Sequence, residues 1–172
     1  GPREVRHVAI LTLHLDGVIE GPVADRALEN LRTMLGEIAY KRNMKWFWTS
    51  PVDARAIAGL TTNSTRAASD AAWLALDTHE AIAGIKDDLP MPVGAAIGIV
   101  RGIASGTRDP EGNLVRYRLH DPAGYLADIL SEATPLLRTW VAGGVYRLVR
   151  RDFRWGDAPT IKIEDAERLS LP

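Results

Sequence analysis

At 172 residues, with 21 basic and 22 acidic side chains and a net charge of −1, the chain is long enough to bury about two-thirds of its unfolded surface in one core. It has no long-range field to gather nucleic acid or anionic lipid. It has no cysteine, which excludes disulfides, thiolate nucleophiles and cysteine-based zinc sites. In chain order, His7–Leu15 (HVAILTLHL) reads as a central strand, apolar on both faces, ending at the turn Asp16-Gly17. From Ala24 to Arg42, Ala27, Leu28, Leu31, Met34, Leu35, Ile38 and Ala39 recur at helical spacing. Met44–Thr49 and Arg55–Leu60 flank Ser50–Ala54 as a hairpin, and Asp53 lies in its turn.

Asn63-Ser64 offers a cap for a second long helix, whose apolar side is Ala68, Ala71, Ala72, Leu74, Ala75, His79, Ile82 and Ile85. Val93–Val100 reads as a second central strand, followed by a glycine-rich turn through Gly102 and Gly106. After the loop Thr107–Asn113 comes a strand over Leu114–Leu119. A helix then begins at Asp121 as cap and Pro122 as first residue, with a buried stripe of Leu126, Ile129 and Leu130. Arg138–Val141 is a short strand and Val145–Arg150 a short helix. FRW, TIKI and RLSL read as edge strands. The order βαββαβ, with further C-terminal β and α elements, predicts an α+β fold: a ferredoxin-like palm with a mainly antiparallel sheet and its helices on one face.

No repeat, linker or low-complexity tract divides the chain, so a single domain over 3–172 is expected. Gly1-Pro2, with no initiator Met, reads as the remnant of a cleaved tag, and the domain is expected to come from a larger multidomain protein. No membrane span or secretion signal is predicted, so the expected compartment is the cytoplasm, without membrane insertion.

Three segments, PVGAAIGIVRGIASG, NLVRYRLHDPAGYLADILSEA and GGVYRLV, carry a resemblance to class III adenylate/guanylate cyclase domains. It extends in topology from His7 to about Leu171. The resemblance implies a head-to-tail dimer with clefts at its interface. It also implies two carboxylates that hold a pair of Mg²⁺ ions about 3.5–4 Å apart against a nucleoside triphosphate. Laid on the family pattern, His14 stands at the first carboxylate. Asp16 follows on the same side of the strand, displaced by roughly 7 Å. Asp53 stands at the second. Ser50 and Tyr117 occupy the purine-selecting positions, Gly124 the position of a ribose-orienting Asn, and Asp128 that of a phosphate-stabilising Arg.

An imidazole is a poor Mg²⁺ ligand. Loss of one preorganised donor costs about 3 to 4 kcal/mol of transition-state stabilisation, and a carboxylate in place of a cation sets like charge against the phosphates. The expectation is a degenerate cyclase-homology domain, without catalytic residues or cofactor, serving as a dimerisation, regulatory or ligand-sensing module of a bacterial signalling protein. The alternatives are two. One is a divergent cyclase using ATP or GTP with Mg²⁺ or Mn²⁺ held by Asp53 with Asp16 or Asp128. The other is the inert half of a heterodimer.

Other constellations have bland readings. His7, His14, His79 and His120 fit no zinc spacing, and no G-x-S-x-G elbow is present. His14 with Asp16, and His120 with Asp121, are read as a strand end and a helix cap. Gly94, Gly98, Gly102 and Gly106 match no phosphate loop and point to close backbone approach. Tyr146–Trp155 interleaves arginines with aromatic residues, but neighbouring acids offset the charge, so it is read as a solvated helix and no nucleic-acid partner is expected. In Trp46-Phe47-Trp48, alternation forces at least one ring away from the core helices, so these three are the predicted interface residues of a homodimer or of a contact with other domains.

Overall fold

The computed structural model describes residues 2–61 and 64–156. Strand β1 (Arg3–Asp16) is followed by helix α1 (Pro22–Lys41), the hairpin β2 (Phe47–Trp48) and β3 (Asp53–Ala58), helix α2 (Ala67–Ile85), and strands β4 (Gly94–Arg108) and β5 (Leu114–Leu119). Helix α3 (Ala123–Ala133), strand β6 (Thr139–Val141) and helix α4 (Gly143–Val149) complete the described part. The sheet order is β2-β3-β1-β4-β5, all antiparallel. β6 adds in parallel to the far edge of β4, beside β5.

The predicted βαββαβ palm is therefore present, and β1 and β4 form its spine, paired from Arg3↔Thr107 to Asp16↔Gly94. Strand alternation divides the core in two. Ala9, Leu11, Leu13 and Leu15 of β1 face one cluster with the palm helices α1 and α2 and with α4. Val8 and Ile10 face the other, with α3. The palm helices share one face, as expected, while the added helix α3 occupies the opposite one.

Helix α1 forms because Leu28, Leu31, Leu35 and Ala39 make one buried stripe. Pro22 suits its first turn, and Asp25 and Lys41 complement the helix dipole. It stops at Asn43, which takes a left-handed conformation with φ 59°. There the amide of Asn43 donates to the carbonyl of Tyr40 and that of Met44 to Ala39, a Schellman closure.

Several expectations change. The glycine-rich turn does not exist: Gly94, Gly98, Gly102 and Gly106 all lie inside the 15-residue strand β4. A Cβ at Gly98 would lie 3.2 Å from Leu130 Cγ, and one at Gly102 would lie 2.8 Å from Ala123 Cβ, so these glycines admit α3 close to the sheet. That approach also explains why Ala123 and Ala127 join Leu130 as the buried residues of α3, leaving Leu126 and Ile129 half-buried. Asp121 does not cap α3, because Pro122 itself is the N-cap residue and no side chain caps there. Phe153–Trp155 is irregular chain rather than a strand. Helix α2 starts after a 3₁₀ turn at Ser64–Arg66. Asn63, TIKI and RLSL lie outside the described residues. No helix among the described residues is long and apolar enough to cross a membrane.

His79 ties α2 to β6 through a 2.9 Å hydrogen bond between Nε2 and the Thr139 hydroxyl. Burial pushes its pKa below the ordinary 6.5, against the opposite pull of a backbone hydrogen bond at Arg138. A base with a depressed folded-state pKa adds stability above its unfolded pKa and loses it as pH falls through the folded value. Thermal melting is therefore expected to drop between pH 7.5 and lower values spanning the ordinary His pKa of about 6.5. His79→Gln should lessen that drop; an identical pH profile in the variant would remove His79 as its source.

Candidate functional site

The site predicted from sequence lies on the α3 side of the sheet. His14 and Asp53 are direct cross-strand partners in β1 and β3, so their side chains leave the same face. His14 Nδ1 meets Asp53 Oδ1 at 2.7 Å. The Ser50 hydroxyl donates to the other oxygen, Asp53 Oδ2, at 2.7 Å, and itself accepts the Val52 amide at 3.1 Å. Partial burial raises the Asp53 pKa, but the Ser50 and His14 hydrogen bonds and the charge of His14 outweigh it and hold the carboxyl below its usual value. Asp53 is thus an anion with both oxygens engaged by its own neighbours.

Two residues along β3, on the same face, stands Arg55. Its Nη2 donates to Asp128 Oδ1 of α3 at 2.6 Å, and a Cβ at Gly124 would lie 3.8 Å from its Nη1. Gly124 and Asp128, one helical turn apart, therefore flank one guanidinium. This pair is partly exposed and worth about 0–1 kcal/mol; its consequence is local neutrality. Sequence reasoning missed Arg55. The signal was available, because residues i and i+2 of a strand share a face and Asp53 had already been singled out.

Asp16 lies apart from this cluster. It is exposed and its Oδ1 accepts the Gly17 amide at 2.8 Å. Tyr117 is half-buried against the α3 core, and burial pushes its phenol up. Ser50 serves Asp53 directly. His120 Nε2 bonds the Ser105 hydroxyl, so the pairing of His120 with Asp121 does not occur.

The aromatic strand divides as alternation requires. Trp46 is 4% exposed, inside the α1/α2 core, which removes it as an interface residue. Trp48 is half-buried under the Arg32 guanidinium, 4.5 Å from the ring centroid. Phe47 is 51% exposed, paired with Arg55 and hence on the face of the site.

The donor set does not fit a pair of hard divalent cations. Among the described residues no three His, Asp or Glu side chains gather as a metal site. Each Asp53 oxygen already engages a neighbour, Ser50 or His14, and the imidazole at the other expected position is a poor ligand for Mg²⁺.

This architecture defines the class: the chain has the class III nucleotide-cyclase fold. The adenylyl cyclase CyaB from P. aeruginosa superposes with a TM-score of 0.79, covering 95% of this chain and 90% of that one at 14% identity. An adenylate/guanylate cyclase/hydrolase from Silicibacter pomeroyi gives 0.70 over 94% and 91% at 18% identity. A non-canonical dimeric guanylyl cyclase domain of the RhoGC fusion protein from Blastocladiella emersonii gives 0.71 over 88% of each chain at 14% identity. At these identities the likeness concerns the fold alone. No protein-family model and no curated protein matches the sequence.

Proposed function

We propose that this is a catalytically degenerate cyclase-homology domain, a dimerisation and regulatory module of a larger bacterial signalling protein. The observation that carries the reading is the closed hydrogen-bond set around Asp53. The one carboxylate at an expected metal position spends both oxygens on Ser50 and His14. The neighbouring cation Arg55 is in turn matched by Asp128, the acid that stands where the resemblance implies an arginine. A triphosphate entering here would meet little free positive charge and no ready metal ligands. Incubation of the purified chain with ATP or GTP and Mn²⁺ tests the reading: no cyclic nucleotide is expected.

The dimer belongs to the same proposal; the Blastocladiella domain of similar fold is known both as a non-canonical dimer and as a monomer, so the support for pairing comes from this chain's own exposed aromatic residues. Phe47 of β2 and Tyr125 of α3 are both about half exposed, and exposed aromatics suit the buried centre of a protein interface. Phe47→Glu is expected to shift the chain from dimer to monomer in light scattering, with its melting temperature nearly unchanged. A wild-type monomer at high concentration would remove the dimer from the proposal.

A further inference from the structure

The segment Tyr146–Trp155 (YRLVRRDFRW) lies on the other side of the sheet from Asp53 and takes no part in that site. Val145 and Val149 seat α4 in the α1/α2 core. Arg147, Arg150, Arg151 and Arg154 are all exposed, and among the described residues none of the four has an ion pair. Asp152 is the one acid between them. The solvated helix expected from sequence is thus a short helix and turn presenting unmatched positive charge. The net charge of −1 does not cancel it at contact range, because salt screens charges beyond about 8 Å.

Beside the arginines lies an aromatic chain. Trp73 and Phe153 have ring centroids 4.9 Å apart, Phe153 and Trp155 6.3 Å, and Trp155 and Tyr146 4.8 Å, the last two pairs edge to face. Leu148 adds an aliphatic side chain that is 54% exposed. Single-stranded nucleic acid binds by stacking successive bases on aromatic faces, whereas these rings pack tilted or edge to face against one another and Leu148 has no face to stack on. Arginines mixed with Trp, Tyr and Leu on one surface suit a different occupant. Cations meet anionic headgroups while the amphipathic rings and leucine enter the boundary beneath them.

We propose that the arginine–aromatic face of α4 and the turn after it docks on the anionic surface of a lipid bilayer. This is peripheral attachment without a spanning segment, and it is independent of whether the Asp53 site is active. It would hold the module in the plane of a membrane and raise its local concentration for pairing.

Co-sedimentation of the 172-residue chain is the test. The probes are phosphatidylcholine vesicles and vesicles containing about a third phosphatidylserine. Binding to the phosphatidylserine vesicles alone is expected, and it should fall at high salt. R150A/R151A should lower partitioning about 25-fold, at roughly fivefold per arginine near an anionic leaflet. The second pair, R147A/R154A, should do the same, with melting temperatures unchanged in both. Equal binding to both vesicle types, binding untouched in both variants, or binding to a single-stranded oligonucleotide with no vesicle binding would each overturn the proposal.

Discussion

Trp46→Ala is expected to lower the unfolding free energy by about 3–5 kcal/mol, the usual cost of truncating a large buried aromatic side chain. The melting temperature should fall by roughly 6–20 °C for a domain of this size. Trp46 belongs to the core beneath α1 and α2, and its removal opens a cavity that rigid secondary structure cannot fill. Among the described residues its indole N–H has no hydrogen-bond partner, and an unmet buried donor costs about 1–3 kcal/mol. Trp46→Phe removes that donor while keeping a ring, so it should cost much less than Trp46→Ala. Thermal melting of both variants beside Phe47→Ala separates core from surface. A Trp46→Ala protein as stable as the Phe47→Ala protein would contradict the placement of these side chains.

Gly17→Ala is expected to cost about 2–5 kcal/mol, from backbone strain of roughly 1–2 kcal/mol and overpacking of about 1–3 kcal/mol. Gly17 has φ 85°, a region that L side chains rarely adopt, and it turns the chain out of β1. A Cβ there would lie 2.1 Å from the carbonyl oxygen of Pro92. That oxygen belongs to the chain entering β4, so relief requires moving the β1–β4 spine. Gly112 is the control: its φ is 88° but nothing lies within 4 Å of its Cβ position, so Gly112→Ala should show the strain alone, about 1 kcal/mol. Equal melting temperatures for the two variants would mean that the Gly17–Pro92 approach is looser than described.

The palm was legible because its signals are periodic. The Leu28–Leu31–Leu35–Ala39 stripe and the two-sided apolar run of β1 name their elements without tertiary information. What failed was chemistry that depends on neighbours. Gly102 and Gly106 read as a turn; the four-residue glycine spacing points to close backbone approach, but nothing in one sequence tells that α3 is the element that presses there. From sequence His14 is a strand-end residue, and Asp53 is a metal ligand only under the divergent-cyclase alternative. Their 2.7 Å contact follows from the β1–β3 register, which periodicity does not fix. Alternation places Arg55 on the face of Asp53, but its pairing with Asp128, 73 residues away, required the fold. Trp46 and Phe47 were legible as opposite faces, but which face the helices cover required the fold.

Under the proposed function, the Asp53 site has closed on itself and does not cyclise nucleotides. Mass spectrometry of the purified chain incubated with ATP or GTP and Mn²⁺, beside Asp53→Ala, addresses it most directly. No cyclic AMP or cyclic GMP above a protein-free control is expected from either chain. Clear turnover by the unaltered chain that disappears in Asp53→Ala would contradict the account and return Asp53 to the role of a metal ligand.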